Sequence, residues 1–211
     1  MFGLKCLTII LLLFSVFASA HGGRTNSEGC HNSQSEGYHC HNHAAPSVTV
    51  VKYDRSQWKH WSDLDGDCQD ARAETLIRDS LVEVKFKNNK TCSVDSGKWF
   101  DPFTAQTFTL ASDIDIDHIV PLKHAHLAGG HSWSKAKKKA FANDPENLLS
   151  VEDNANSSKG DQAPHEWMPK NKTFWCTYLS KWNHVKAKYE LTYTTEEVNF
   201  ISRVKEALTC S

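Results

Sequence analysis

The segment 115–161 constrains the fold of this 211-residue chain more than any other part of it. A β-branched run ends in the pair Asp117 and His118, and a proline follows shortly afterwards. A second short apolar segment begins at Asn147, and another asparagine, Asn156, comes nine residues later. An imidazole can take a proton from water near neutral pH, and a divalent metal can neutralise charge on a phosphate and on its leaving oxygen. The layout is therefore suited to holding one metal and one imidazole against a phosphodiester.

The same residues resemble the core of the HNH, or ββα-metal, endonucleases. The resemblance rests on the Asp-His-Ile-Val-Pro run at 117–121, on Asn-Leu-Leu at 147–149 and on the Asn-x-x-Lys-Gly-Asp pattern at 156–161. Shorter runs across residues 53–210 extend the likeness to secreted HNH proteins related to the C-terminal domain of the GmrSD restriction enzyme. These runs include Gly-Lys-Trp at 97–99, Ala-Phe-Ala-Asn-Asp at 140–144 and Glu-Trp-Met-Pro at 166–169. The resemblance implies an α+β fold in which hairpins precede a ββα-metal HNH core and helices follow it.

Five residues of this pattern receive a role from the resemblance. His118 is expected to be the general base that activates the attacking water. Asp117 and Asn156 are expected to ligate a divalent metal, Mg²⁺ or Mn²⁺, through side-chain oxygens. Asn147 is expected to tie loop backbone together, and Lys159 to contact a phosphate. On a regular strand Asp117 and His118 would point to opposite sides, so we expect the strand to bend or end at this pair.

Neighbouring polar residues leave several alternatives open. Asn154 competes with Asn156 for the metal, and either residue could instead cap a helix or form a turn. On a regular strand Asp113 and Asp115 would share a face with the metal-binding aspartate. Asp115 could therefore position either the metal or an arginine. His124 could reach the site, although a histidine in a surface loop is the plainer interpretation.

The acidic run Asp-x-Asp-Gly-Asp at 63–67 resembles a calcium-binding loop only in part. Its glycine is the fourth residue of the run, whereas an EF-hand loop has its glycine at the sixth position. Capping of the following helix by Asp65 or Asp67 is therefore the better interpretation.

The first twenty residues have the pattern of a secretory signal peptide. They combine a positive Lys5, an apolar run at 7–17 and small residues at 18–20. The apolar run is too short to span a bilayer comfortably, and no second one follows. We therefore predict that residues 1–20 are removed and that the protein is secreted or periplasmic, without a membrane partner.

Cleavage would remove one of the seven cysteines, and the even number that remains argues for disulfides in an exported protein. Sequence alone does not select a pairing. We favour three bridges that join neighbouring segments, which are Cys30–Cys40, Cys68–Cys92 and Cys176–Cys210.

Residues 21–45 form a separate module that is rich in histidine and cysteine and has no apolar periodicity. The Tyr-His-Cys-His run at 38–41 resembles a motif found near the start of many exported bacterial proteins. The module could hold a second ion, Zn²⁺ or Cu²⁺, and a plain disulfide-closed loop is the alternative. The ligands would come from His21, His31, His39, His41 and His43 with Cys30 and Cys40.

Residues 50–211 are expected to form the nuclease-like domain. Apolar periodicity predicts helices at 68–81, 132–143, 172–189 and 194–208, the last opened by a capping box at Thr194. Alternating patterns predict strands at 81–86, 90–94 and 112–120, with a hairpin at 98–108.

The net charge of the chain is −1, so binding of nucleic acid would depend on local basic clusters. Candidate lysines come after Asp117 and His118, and further ones come after Asn156. They are Lys135, Lys137, Lys138, Lys139, Lys159, Lys170, Lys172, Lys181, Lys186 and Lys188.

These observations predict an exported, metal-dependent HNH endonuclease that hydrolyses DNA phosphodiester bonds, with RNA as a further candidate substrate. Two other classes compete with this hypothesis. One is an exported metal-binding protein whose HNH-like scaffold is not catalytic, and the other is a protein that binds DNA without cutting it. The sequence does not address the oligomeric state.

Overall fold

The computed structural model describes residues 30–33, 37–40 and 51–210. The first two ranges form a hairpin of β1 (Cys30–Ser33) and β2 (Gly37–Cys40), whose register sets Cys30 opposite Cys40. The predicted signal peptide lies outside the described residues, and so do the side chains of the histidine-rich module. The Cys30–Cys40 bridge and the Zn²⁺ or Cu²⁺ site therefore stay predictions.

The larger unit begins with a helix packed on a three-stranded antiparallel sheet. Helix α1 (Ala71–Asp79) starts later than predicted because its N-cap is Asp70, whose carboxylate accepts a hydrogen bond from Ala73 N at 2.9 Å. Neither Asp65 nor Asp67 is therefore the cap. The order of the sheet is β3 (Lys85–Phe86), β4 (Val94–Asp101) and β5 (Gln106–Leu110).

The first two strands differ from the prediction, whereas the hairpin between β4 and β5 is confirmed. The predicted strand at 90–94 is mostly turn, and β4 begins only at Val94. At the hairpin, the Asp101 carboxylate accepts hydrogen bonds from Phe103 N and Thr104 N, both at 2.9 Å. The predicted Cys68–Cys92 disulfide is present and links the segment before α1 to the segment before β4.

Two antiparallel strands and a helix form the ββα arrangement that the resemblance implied. Strand β6 (Ile114–His118) pairs with β7 (Leu148–Glu152), and α4 (Asp153–Lys159) follows β7 directly. The N-cap of α4 is Glu152, which accepts from Ala155 N at 2.7 Å. Asn156 therefore lies in the middle of this helix and not at its start.

The connection between β6 and β7 contains two helices, of which the sequence predicted one. The predicted helix at 132–143 corresponds to α3 (Lys135–Ala142). The other, α2 (Leu122–Leu127), begins immediately after Pro121. Pro121 is thus the boundary between the active-site strand and a short helix that buries Leu122, Ala125 and His126.

Two longer helices close the domain. Helix α5 (Trp175–Lys188) is preceded by a 3-10 turn, and α6 (Thr195–Ala207) opens with the predicted capping box of Thr194 and Glu197. The apolar stripe of α5 is buried as expected, with Tyr178 and Trp182 fully enclosed. The predicted Cys176–Cys210 disulfide joins the start of α5 to the end of the described chain.

The larger unit is thus α+β, with hairpins before the ββα arrangement and helices after it, as predicted. One hydrophobic cluster lies between α1 and the sheet, and a larger one lies among α2, α3, α5 and α6. Within the described part of the chain, no helix has both the length and the apolar character needed to cross a membrane.

The basic surface is smaller than the lysine count suggested. Lys138, Lys159 and Lys186 are buried, and Lys188 pairs with Asp144 at 2.7 Å. Lys138 donates to Gln57 Oε1 and to the carbonyl of residue 131, both at 3.2 Å. The three buried lysines cannot form an exposed phosphate-binding face, and the charge of the half-exposed Lys188 is balanced by Asp144.

Candidate active site

A cleft of about 370 Å³ opens where β6 ends. Asp117 and His118 both line this cleft. The strand ends at His118, as we expected from the need to bring two successive side chains to one site. A larger cleft of about 450 Å³ lies between α1 and the sheet, away from this pair. The polar lining of the smaller cleft is Tyr53, Arg55, Asp117, His118, Lys123, Asn156, Ser157 and Asp161.

The imidazole of His118 is held by two contacts. Its Nε2 lies 2.8 Å from the carbonyl oxygen of Ala142, and its ring lies 5.7 Å from the ring of Trp61. A carbonyl oxygen only accepts, so Nε2 must carry the proton, which leaves the lone pair on Nδ1. Burial lowers the pKa of His118 to about 3, the Ala142 bond opposes that shift, and the positive charges of Arg55 and Lys159 add to it. The ring is therefore neutral at physiological pH, the form that can accept a proton.

Asp117 and Lys159 form a buried ion pair beneath the cleft. Lys159 Nζ donates to Asp117 Oδ1 and to the carbonyl of His118, both at 2.8 Å, and Lys159 is fully buried. Burial raises the pKa of Asp117 to about 6 and lowers that of Lys159, and each partner opposes the shift of the other. The structure thus places Lys159 behind Asp117, where it cannot meet a phosphate in the cleft. We interpret it as the residue that fixes the carboxylate.

The second oxygen of Asp117, Oδ2, is buried and has no hydrogen-bond partner among the described residues. A buried carboxylate oxygen without a donor is costly unless a cation or another donor completes it. This unpaired oxygen is the observation that fits a metal ion at the position where the resemblance implied one.

Asn156 and Asn154, which the sequence left in competition, point to different places. Asn156 lines the cleft, and its Nδ2 donates to Asp115 Oδ2 at 3.2 Å, so its side-chain oxygen remains for a cation. Asn154 is exposed, and its Nδ2 donates to Glu152 Oε1 at 2.6 Å. The geometry favours Asn156 as the metal ligand.

Of the two partners that the sequence left open for Asp115, a metal or an arginine, the structure shows the arginine. Besides Asn156, Asp115 faces Arg72 Nη1 at 3.8 Å. Arg72 also donates to the backbone oxygen of Ile114 at 2.7 Å, so it is fixed against β6. Asp113 is not on the strand, because it belongs to a 3-10 turn that precedes Ile114. Asp115 therefore connects an anchored arginine to Asn156.

Asn147 has the loop-binding geometry that was expected of it. It is fully buried, its Oδ1 accepts from Val120 N at 2.9 Å, and its Nδ2 donates to Val120 O at 3.3 Å. Its own carbonyl accepts from Ile119 N at 2.8 Å. Asn147 thus fixes the chain just after His118 without lining the cleft.

Two other polar groups named from the sequence lie away from the cleft. His124 contacts Lys186 Nζ through Nε2 at 3.1 Å, and burial lowers its pKa to about 4. The carboxylates of Asp63, Asp65 and Asp67 lie within 4.8 Å of one another, but they are exposed, and Asp63 accepts from the backbone of Gly66 and Cys68. The acidic run therefore has the contacts of a turn.

Sequence reasoning missed the residues that form the other wall of the cleft. Tyr53 and Arg55 come far earlier in the chain than Asp117 and His118, and no local pattern marks them as part of the site. Lys123 and Asp161 were also missed; both line the cleft and form an ion pair with a distance of 2.7 Å between Nζ and Oδ2.

Comparison with known proteins agrees with this geometry. Residues 67–204 match the model of the family described as GmrSD restriction endonucleases, C-terminal domain. The chain belongs to this family. All five residues that were given roles lie inside the matched region, whereas Tyr53 and Arg55 precede it.

One relative of this chain is a protein of Arthroderma benhamiae, described as an uncharacterized secreted protein. It is 41% identical over 147 residues, which cover 69% of this chain and 70% of the relative. No solved structure matched the chain.

Proposed function

We propose that the protein is an exported, metal-dependent endonuclease that hydrolyses DNA phosphodiester bonds. The observation that carries the proposal is the juxtaposition at the end of β6. A neutral imidazole with its lone pair on Nδ1 adjoins a buried carboxylate that has one unpaired oxygen. Membership of a family of restriction endonuclease domains supports this chemistry.

Each residue then has a distinct task. Nδ1 of His118 takes a proton from the attacking water, and the carbonyl of Ala142 stabilises the imidazolium that results. A divalent ion, when bound by Asp117 and Asn156, would neutralise charge on the phosphate and on the leaving oxygen. Lys159 keeps Asp117 ionised and oriented, and Asn147 holds the backbone that follows the base.

Export is supported by independent observations. The relative from Arthroderma benhamiae is described as secreted, and two disulfides lie in the described part of this chain. Disulfides persist in oxidising compartments. DNA is the proposed substrate because the family is one of restriction endonucleases, and RNA serves as a comparison substrate in the test.

Plasmid nicking by the mature protein, in Mg²⁺ or Mn²⁺ and then in EDTA, tests the proposal. We expect cleavage that stops in EDTA, and we expect His118→Ala to lower the rate by at least about 10²-fold while circular dichroism shows an unchanged fold. The matched control is His184→Ala, because His184 is an exposed histidine of α5. Nicking by His118→Ala at the control rate would show that His118 is not the base.

The wild-type protein itself decides between the proposal and its rivals. Binding of metal without cleavage of any nucleic acid would favour a non-catalytic scaffold. A shift of DNA in a gel without cutting would favour a DNA-binding protein.

A further inference from the structure

One wall of the cleft consists of Tyr53 and Arg55, which belong to segment 51–61 and precede the region matched by the family model. This segment is well anchored. Trp58 is fully buried in the larger core, and Asp54 caps a short 3-10 turn by accepting from Ser56 N at 2.9 Å. Gln57 is bound by the buried Lys138. The wall therefore presents its side chains from a fixed backbone.

Arg55 brings a positive charge to the cleft beside the catalytic base. Arg55 and His118 line the same cleft, so a group bound at His118 lies in the space that Arg55 borders. The positive charge of Arg55 also adds to the lowering of the His118 pKa by burial. An arginine offers a planar fork of donors that matches the oxygens of a phosphate.

Within the described part of the chain, Arg55 is the cation of this cleft that forms no ion pair. Lys123 pairs with Asp161 at 2.7 Å, and Lys159 pairs with Asp117 at 2.8 Å. The adjacent carboxylate of Asp54 is occupied by Ser56, whose Oγ lies 2.7 Å away. Arg55 thus adds positive charge to a site that is built for an anionic substrate.

The hydroxyl of Tyr53 is a second donor in the same wall. Burial raises the Tyr53 pKa, and the charge of Arg55 and a hydrogen bond with it lower the pKa. An arginine only donates, so the hydroxyl hydrogen itself meets no acceptor among the described residues. A tyrosine of the cleft lining whose hydroxyl hydrogen has no acceptor is a donor for a ligand.

We propose that Arg55 and Tyr53 form the phosphate-binding wall of the active site, with Arg55 contacting the non-bridging oxygens of the scissile phosphate. This proposal rests on the proposed function, since it names the groups that hold the same substrate. Arg55 stabilises charge that develops on the phosphate, and Tyr53 supplies a further hydrogen bond.

The test compares Arg55→Met with the control Arg203→Met. Arg203 is an exposed arginine of α6, so the control removes the same charge at a distant surface position. Cleavage is measured on plasmid and on bis(p-nitrophenyl) phosphate, a phosphodiester without a DNA backbone. We expect Arg55→Met to lower kcat/KM by about 10²-fold on both substrates. Arg203→Met should change it by less than about twofold, the scale of a surface substitution. Tyr53→Phe should give a smaller loss than Arg55→Met.

A binding assay separates this proposal from the proposed function. A labelled single-stranded oligodeoxynucleotide is titrated in EDTA over a range of salt concentrations. Loss of one phosphate contact should reduce the slope of log K against log salt by about 0.7 in Arg55→Met and leave it unchanged in Arg203→Met. This result would support the proposal even if the wild-type protein cut nothing.

Identical binding, slope and cleavage in the two methionine variants would overturn the proposal. If Arg55→Met fails to fold, Arg55→Lys takes its place, because lysine keeps the charge but lacks the fork. A folded Arg55→Lys variant with wild-type kcat/KM on the minimal phosphodiester would likewise overturn it.

Discussion

Replacement of Lys159 by methionine tests how the structure holds the carboxylate of Asp117, the proposed metal ligand. Methionine fills similar volume but removes the ammonium group, leaving Asp117 buried without its partner. Two hydrogen bonds to charged or carbonyl oxygens are lost, both of 2.8 Å. At about 1.5–3 kcal/mol each, these bonds give a cost of about 3–6 kcal/mol, which overlaps the roughly 3–5 kcal/mol usual for breaking a buried ion pair.

The pH dependence of that cost identifies its cause. Burial already raises the pKa of Asp117 to about 6 in the presence of Lys159, so removal of the lysine should raise this pKa further. The folded variant then binds a proton that the unfolded chain does not hold, and its stability falls as pH rises. Lys159→Met should therefore be destabilised more at pH 8 than at pH 5.5.

The measurement is urea denaturation at both pH values, followed by tryptophan fluorescence. The matched control is Lys181→Met, a helical lysine without an ion pair among the described residues. The double variant Asp117→Asn/Lys159→Met should be less destabilised than the sum of the single variants. A buried charge pair would be contradicted if the destabilisations of the two single variants simply added in the double variant, and if the cost of Lys159→Met did not change with pH.

Two further predictions follow from neighbouring contacts. Asn156→Ala should weaken Mn²⁺ binding at least tenfold, whereas Asn154→Ala should leave it nearly unchanged. Calorimetric titration measures both, and equal effects would refute Asn156 as the metal ligand. The pKa of His124 in the folded protein is about 4, below the ordinary 6.5, so the free energy of unfolding falls by up to about 3 kcal/mol as pH falls through that window. His124→Gln removes this titration and should therefore reduce the loss of stability on acidification. Glutamine can still accept from Lys186, and an unchanged slope of unfolding free energy against pH, relative to His184→Gln, would contradict this origin.

The sequence was sufficient for those parts of the site that are close together in the chain or marked by a motif. Asp117, His118 and Asn156 line one cleft, and Asn147 binds the loop that follows His118, because β6, β7 and α4 bring one continuous motif together. Their roles stay predictions. Two disulfides were also predicted correctly, since each joins segments that pack side by side.

The burial of individual side chains and the contacts between segments distant in the chain could not be predicted in this way. The charge pattern marked Lys159 as a phosphate contact, but only the packing of α4 against β6 shows that its ammonium is fully buried. Arg55 reaches the cleft through folding of a distant segment, so no local spacing indicated it. Helix α2 is too short for apolar periodicity to distinguish it from a loop.

The end of α3 gives His118, the proposed base, an electrostatic partner that lies outside the ββα arrangement. The last carbonyls of a helix have no partner within it and carry the negative end of its macrodipole. Ala142 is the final residue of α3, and its carbonyl accepts from His118, so the helix end faces the ring that would become positive in the proposed reaction. The C-cap Asn143 is held in turn by Lys59 O at 2.6 Å and by Ser62 N at 2.8 Å. Where this neighbouring helix stops thus counteracts part of the lowering of the His118 pKa by burial, so insertions or deletions in α3 would shift this pKa without altering any residue that lines the cleft.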